Sequence, residues 1–312
     1  MKFCLVVLLL LSAFLCAQQQ QTARPRILGV PHAAFRVHDI AASRQFYKDL
    51  LGFSEPFSIK AADGKLIMTF IKVNDRQYIE LSPEAKPDEP RFIHLALETD
   101  DAEALRLYVK SKGFDASEKP ASKGRIGNIG TGLVDPDGNH IDVTQYDAAG
   151  ESIKDVGKDM PDTRIAKRML HVGFHVSKPE TAHFYIDVLG FREFWRGTVD
   201  GKQAAYSNLM VPEGCDYVEF MLAPLPSTPA QLGGMFHIAL EVGDMGAAIA
   251  KLNANPARQE YKRPIEVHVG RNHRRQSNLY DPDGTRIELM EDHTVDGLPS
   301  PMTILPMFPA VK

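Results

Sequence analysis

Four histidines in apolar segments of the chain recur at similar distances from four acidic residues. The pairs are His32 and Glu80, His94 and Asp142, His171 and Glu219, and His237 and Glu288. Three pairs are 48 residues apart and the last is 51 residues apart. Imidazole nitrogens and carboxylate oxygens together suit Fe²⁺, Mn²⁺, Zn²⁺ or Ni²⁺. The pattern therefore predicts a divalent metal site of two histidines and one or two carboxylates, present in both halves of the chain.

Two of the acids follow the same turn sequence. Asp-Pro-Asp-Gly occurs at 135–138 before Asp142 and at 281–284 before Glu288, and each acid lies four residues after the glycine. Asp, Pro and Gly occupy the positions that a type I turn favours for them. The turn should therefore deliver both acids to equivalent places.

Alternation along the strands predicts which way the histidines face. In the segment 170–176, Leu170, Val172 and Phe174 share one side, so His171 lies on the other side with Gly173, which leaves space there. The same parity holds for His32, His94 and His237. Buried ionisable groups on one cavity face need a partner or a metal to offset desolvation.

Each of these residues alone has a simpler explanation. A single strand histidine is usually a hydrogen-bonded core residue, and an acid after a turn is usually solvated; the repeated combination favours a metal. The second half is the stronger candidate, because Asp142 is one methylene shorter than Glu288 and a repeated domain can lose its ion. Before the last turn, a basic segment either lines the cavity mouth or forms a solvated loop: His268, Arg271, His273, Arg274 and Arg275.

An internal repeat defines the elements that carry these residues. Residues 46–53 and 184–191 are identical at six of eight positions. Both are predicted to be helical, the first capped by Asp39 and the second by Ser177 with Glu180 in a capping box. The glycines that follow, Gly52 and Gly190, are typical helix ends.

A strand, a helix and about three strands recur at 27–82, 91–146, 169–224 and 233–291. The sequence thus predicts an α+β protein of four βαβββ modules paired into two cupped sheets. The first domain would span 27–146 and the second 169–291. A polar linker, 147–168, would join them, and a Pro-rich tail would follow at 292–312.

The N-terminus differs from the rest of the chain. Met1 and Lys2 precede an apolar run that ends at Cys16 and Ala17, the pattern of a secretory signal peptide at 1–17. The run is shorter than the roughly 20 residues that span a bilayer, so no membrane span is expected in the mature chain. We expect a secreted or periplasmic protein, since the residues before Cys16 match lipoprotein processing poorly. Cys215 would then have no cysteine partner.

Composition excludes one class of partner. The chain has 312 residues, 44% of them apolar, and a net charge of -4. It has no dense Lys/Arg stripe of the kind that attracts nucleic acid. The expected partner is a small-molecule substrate.

Three motifs resemble those of the vicinal oxygen chelate superfamily. They are Leu-His-Val-Gly-Phe at 170–174, Phe-His-Ile-Ala-Leu-Glu at 236–241 and Asp-Pro-Asp-Gly-Thr-Arg-Ile-Glu at 281–288. That superfamily includes glyoxalases, bleomycin and fosfomycin resistance proteins, epimerases and extradiol dioxygenases. The resemblance covers nearly the whole mature chain and implies one ion per cup that binds neighbouring oxygens of a substrate.

The resemblance also implies particular ligand sets. An extradiol-type set would be His171, His237 and Glu288, and a bacterial-glyoxalase-like set would add Glu219. The first-half counterpart would be His32, Glu80, His94 and Asp142. Four ligands leave two octahedral positions for substrate, which favours isomerase or lyase chemistry with Glu219 as general base. The alternatives are an Fe²⁺-dependent ring-cleaving dioxygenase, although Asn278 stands where those enzymes carry Tyr, and a non-catalytic binding protein.

Overall fold

The computed structural model describes residues 23–86, 89–225 and 229–308. The predicted signal peptide at 1–17 lies outside the described residues. Two curled mixed sheets, one from each half of the chain, form the described part. The predicted α+β arrangement of four paired βαβββ modules is confirmed.

The first sheet contains nine strands. They are β1 (Ile27–Gly29), β2 (His32–Val37), β3 (Ser54–Lys60), β4 (Leu66–Asn74), β5 (Gln77–Pro83), β6 (Phe92–Thr99), β7 (Ser122–Lys123), β8 (Ile129–Val134) and β9 (His140–Gln145). Their order is β3-β4-β5-β2-β6-β9-β8-β7, and β1 pairs with β6. At the centre, β2 and β6 are antiparallel, and each is parallel to the last strand of its own module.

The second sheet repeats this order with eight strands. They are β10 (Met169–His175), β11 (Arg192–Thr198), β12 (Ala204–Met210), β13 (Tyr217–Met221), β14 (His237–Val242), β15 (Val267–Val269), β16 (Arg274–Tyr280) and β17 (Arg286–Thr294). Their order is β11-β12-β13-β10-β14-β17-β16-β15. All candidate ligands therefore lie on the four central strands of a sheet.

Short helices connect the strands. They are α1 (Ile40–Arg44), α2 (Ala102–Ser111), α3 (Glu151–Lys154), α4 (Pro179–His183), α5 (Pro229–Met235) and α6 (Met245–Ala254). The two repeat segments continue α1 and α4 as π-helical turns, Gln45–Leu50 and Phe184–Val188. Among the described residues, no helix combines the length and the apolarity needed to cross a membrane.

The helix ends agree with the sequence except at the N-terminus of α4. Asp39 accepts hydrogen bonds from two backbone N–H groups of α1, as predicted. Gly52 and Gly190 end the helical segments with φ of 75° and 79°. The capping box at Ser177 is wrong, because Lys178 is the N-cap and makes no side-chain cap. A carboxylate from the first half, Asp137, instead accepts bonds from Ser177 and Lys178 N–H and from the Ser177 hydroxyl.

The Asp-Pro-Asp-Gly turn of each half contacts the helical repeat segment of the other half. Asp283 of the second turn accepts a bond from the His38 N–H beside α1, as Asp137 does at α4. The Tyr47 hydroxyl donates to Asp281 at 3.1 Å. One apolar core includes residues of both halves. The copies are therefore joined by the same elements that define the repeat.

The predicted linker and tail also contact the sheets. The buried ammonium of Lys72 on β4 binds the Asp155 carboxylate at 2.8 Å and the Lys158 carbonyl at 2.8 Å, just after α3. The indole N–H of Trp195 on β11 donates to the Pro301 carbonyl at 2.7 Å. Both segments are thus fixed by long-range polar contacts.

Candidate metal centres

The concave face of the first sheet brings together His32 on β2, Glu80 on β5, His94 on β6 and Asp142 on β9; we call this site the first cup. The Nε2 atoms of His32 and His94 are 3.1 Å apart. His32 Nε2 lies 3.5 Å from Glu80 Oε1 and 3.4 Å from Asp142 Oδ2. His94 Nε2 lies 3.6 Å from Glu80 Oε2. The four residues that the sequence predicted for this half therefore converge.

The second cup is formed by His171 on β10, Glu219 on β13, His237 on β14 and Glu288 on β17. The two Nε2 atoms are again 3.1 Å apart. His237 Nε2 lies 3.3 Å from Glu219 Oε2 and 3.6 Å from Glu288 Oε2. His171 Nε2 is 3.7 Å and 3.9 Å from the same two carboxylates. Glu219 is thus at ligand distance from both histidines.

Strand register explains this convergence. Gly173 pairs with Glu219 on one side and with His237 on the other, and Ala239 pairs with Glu288. A Cβ on Gly173 would lie 2.0 Å from His237 Cε1. The space that the sequence predicted at this glycine is therefore taken by the second histidine ring.

Both sets have the spacing of a coordination shell. Bonds of about 2.1 Å place neighbouring ligand atoms about 3.0 Å apart around an octahedral ion and about 3.4 Å apart around a tetrahedral one. The two Nε2 atoms are 3.1 Å apart in each cup, and every carboxylate lies 3.3 to 3.9 Å from a histidine nitrogen. Three ligand atoms in each cup lie within 4.8 Å of one another, those of His32, His94 and Asp142 and those of His171, Glu219 and His237. Histidine and carboxylate are also the donors that Mn²⁺, Fe²⁺, Zn²⁺ and Ni²⁺ accept. The residues present in each cup therefore fit one divalent ion.

The electrostatics of the cups differ. In the first cup, burial would lower the pKa of His32, but the Glu80 and Asp142 carboxylates outweigh burial and raise it. The pKa of Asp142 is lowered despite its burial, because the carboxylate pairs with His32. Both shifts favour the charged pair of these two residues, and a protonated His32 must lose its proton before it can bind a metal.

In the second cup, burial dominates. Desolvation lowers the pKa of His171 to about 3 and holds the pKa of His237 well below its usual value. Burial also raises the pKa of Glu288 to about 7, although the nearby Arg286 charge opposes that rise. Both imidazoles are therefore neutral, which is the form that binds a metal.

Arg286 is a component of the second cup that the sequence reasoning missed. Its Nη2 donates to His237 Nε2 at 2.6 Å and lies 3.9 Å from Glu288 Oε2. Strand alternation could have found it, since Arg286 lies two residues before Glu288 and so shares its face. The equivalent position in the first half is His140, which is exposed.

Each cup opens into a cavity of its own. The first, of about 410 Å³, is lined by apolar and aromatic side chains that include Ile59, Met68, Phe70, Tyr78 and Tyr146, and by Arg125. The second, of about 430 Å³, is lined by Trp195, Tyr206, His268, Arg271, Asn272, Gln276, Asn278 and Arg286. The first cavity is therefore largely apolar, and the second is polar and cationic.

Part of the basic segment before the last turn lines the cavity, and part of it lies on the surface. His268 and Arg271 line the second cavity. His273 instead pairs with Asp296, and Arg275 pairs with Glu291. The segment thus contributes to the cavity through two of its side chains and to the surface through others.

Comparisons with known proteins agree with this architecture. The family model of the Glyoxalase/Bleomycin resistance protein/Dioxygenase superfamily matches residues 29–143 and 168–289. Virulence protein STM3117 of Salmonella typhimurium is 30% identical over 121 residues, which cover 38% of this chain and 83% of that protein.

Solved structures share the fold at low sequence identity. The Mn(II)-bound glyoxalase from Novosphingobium aromaticivorans has a TM-score of 0.62 and 19% identity, with 86% of this chain and 83% of that chain covered. The 2,3-dioxygenase LapB from Pseudomonas sp. KL28 has a TM-score of 0.64 and 17% identity, with 90% and 99% covered. The family match covers both halves, and the chain therefore belongs to the Glyoxalase/Bleomycin resistance protein/Dioxygenase superfamily, which is the vicinal oxygen chelate superfamily.

Proposed function

We propose that this protein is a divalent-metal-dependent enzyme that binds two adjacent oxygens of a small organic substrate and performs lyase or isomerase chemistry of the glyoxalase type. The observation that carries the proposal is the convergence of two histidines and two carboxylates in each cup, where the two Nε2 atoms are 3.1 Å apart and each carboxylate lies 3.3 to 3.9 Å from a histidine. Four protein ligands leave two octahedral positions for the substrate oxygens. The ion would supply Lewis acidity, which makes a C–H bond next to those oxygens more acidic.

The protein would then move the proton. Glu219 is the candidate general base of the second cup, and Glu80 holds the same position in the first. One carboxylate oxygen can remain near the ion while the other accepts a proton from the substrate carbon and returns it to a neighbouring atom. The walls of the cavity would exclude bulk water from this transfer.

A metal measurement tests the proposal. Equilibrium dialysis against Mn²⁺, followed by elemental analysis, should show one ion fewer per chain in His94→Ala and in His237→Ala than in the unmodified protein. His183→Ala is the matched control, because His183 is exposed and pairs with Asp187 outside both cups. Full metal content in both cup variants would contradict the ligand assignment.

A second reading, dioxygenase chemistry, has one supporting observation. His171, His237 and Glu288 form a two-histidine, one-carboxylate set in a chain that shares its fold with LapB. Oxygen uptake with a panel of catechols after anaerobic Fe²⁺ loading would separate the two chemistries. Solvent deuterium incorporation into α-hydroxycarbonyl compounds, without oxygen uptake, is the result expected for the isomerase. A protein that binds no metal would favour the non-catalytic binding function.

Export is part of the proposal and rests on residues 1–17. The mass of the protein recovered from the secreted or periplasmic fraction of its host should lack this segment. A full-length mass in the cytoplasmic fraction would contradict export.

A further inference from the structure

A charged side chain that the proposed chemistry does not use lies among the ligand atoms of the second cup. The Arg286 guanidinium donates to the same His237 nitrogen that a metal would take. No comparable cation contacts the ligand atoms of the first cup within the described parts of the chain. The equivalent first-half residue, His140, instead lines a different cavity. The two cups therefore differ at the position of the ion itself.

The Arg286 guanidinium has no close carboxylate partner among the described residues. Its nearest carboxylate among the described residues is Glu288, with 3.9 Å between Nη2 and Oε2, and its Nε is buried without a hydrogen-bond partner. A guanidinium stays charged in proteins and matches the two oxygens of a carboxylate with two parallel N–H donors. Arg286 is thus a largely buried cation whose closest acceptor is a neutral imidazole.

Metal binding and the Arg286 contact exclude each other. His237 Nε2 has one lone pair, which either accepts the Arg286 hydrogen bond at 2.6 Å or binds an ion. The positive charges of the ion and the guanidinium would also repel each other, since both would lie beside the same histidine nitrogen. Binding of an ion in the second cup therefore requires Arg286 to turn away and find another partner.

With an ion bound, the cavity carries more positive than negative charge, so the new partner of Arg286 would be an anion. The Glu219 and Glu288 carboxylates balance a divalent ion, and Arg286 and Arg271 then both face the same cavity without a matching acid lining it. The rings of Trp195 and Tyr206 stack at 6.4 Å with 22° between their planes and form a flat apolar wall of this cavity. A ligand with a planar skeleton and an acidic group fits these features.

We propose that Arg286 is a specificity-determining residue that competes with the metal for His237 and, when the ion is bound, holds a carboxylate of the substrate. The second cup then selects small acids whose carboxylate lies near the two chelating oxygens. This inference rests on the proposed function, since it assumes that the second cup binds a metal.

The test measures metal affinity directly. In a His94→Gln background, which removes a first-cup ligand, Mn²⁺ is titrated into the parent, Arg286→Met and Arg275→Met, with and without acetate as a carboxylate probe. Arg275→Met is the matched control, because Arg275 lies on the neighbouring strand but pairs with Glu291 outside the cup. The single tryptophan, Trp195, lines the second cavity, so its fluorescence reports this cup even in chains with both cups intact.

Arg286→Met should bind Mn²⁺ in the second cup at least tenfold more tightly than the parent. Acetate should strengthen Mn²⁺ binding severalfold in the parent and in Arg275→Met, but not in Arg286→Met. Equal Mn²⁺ affinity in the parent and Arg286→Met would overturn the competition. An acetate effect that is absent from the parent, or that persists in Arg286→Met, would overturn the carboxylate role. Failure of Mn²⁺ to bind the second cup of all three proteins would instead overturn the metal centre on which the proposed function depends.

Discussion

Gly173 is the position where a single methyl group should disable one cup and spare the other. A Cβ at this residue would lie 2.0 Å from His237 Cε1 and 2.4 Å from Nδ1, whereas ordinary contacts begin at 3.4 Å. In Gly173→Ala, the His237 imidazole must therefore move by roughly 1.4 Å, or the strands must separate. Ligand distances in metal sites tolerate about 0.2 Å. We expect loss of the ion from the second cup and, from overpacking, about 1–3 kcal/mol lower stability.

The assay is Mn²⁺ titration calorimetry combined with urea unfolding. Gly173→Ala should bind one ion fewer per chain, while the first cup keeps its affinity. Gly243→Ala is the control, because a Cβ there meets nothing within 4 Å, just after the strand that carries His237. In the first cup, the residue equivalent to Gly173 is Ala34. It pairs with His94, whose side chain is 18% exposed. Unchanged metal stoichiometry and affinity in Gly173→Ala would refute the steric reasoning.

Three further outcomes are expected. Lys72→Met should lower the free energy of unfolding by about 3–5 kcal/mol in urea, because it leaves the Asp155 carboxylate unpaired; a change below 1 kcal/mol would contradict this. Burial raises the pKa of Asp281 to about 6 from 3.8, so the folded state binds this proton more tightly and stability falls as pH rises from about 4 to about 6. Asp281→Asn should therefore gain stability relative to the parent across that range, by up to about 3 kcal/mol at pH 7, and parallel pH profiles would argue against it. Mn²⁺ at a hundred times its Kd should stabilise each occupied cup by about 2.7 kcal/mol, reversibly with EDTA, and a melting temperature insensitive to both would contradict metal binding.

Local patterns were sufficient to predict the modules and the facing of the ligands. Side chains alternate along every strand, so the parity of His171 against Leu170 and Val172 fixed its face without any knowledge of partners. The cap at Asp39 and the end at Gly52 were also predictable, because each depends on residues within one turn of the helix.

The capping prediction failed because the partner is distant in sequence. The capping box at Ser177 and Glu180 is a valid local option, but Asp137 of the other half supplies a carboxylate to the same N–H groups. No window of sequence around Ser177 contains that information. Sequence around the predicted linker likewise did not show that the buried Lys72 ammonium binds Asp155 from the first sheet.

The sequence by itself determined the donor types, their repeated spacing and the face on which they lie, since these follow from residue identity and strand periodicity. Only the tertiary structure decided that side chains from four strands meet, with the two Nε2 atoms 3.1 Å apart and each carboxylate 3.3 to 3.9 Å from a histidine, because register between strands is set by long-range pairing. It also decided the place of Arg286. Strand parity puts that residue on the cup face, but its long side chain can turn toward solvent or toward His237, and in the structure it contacts His237.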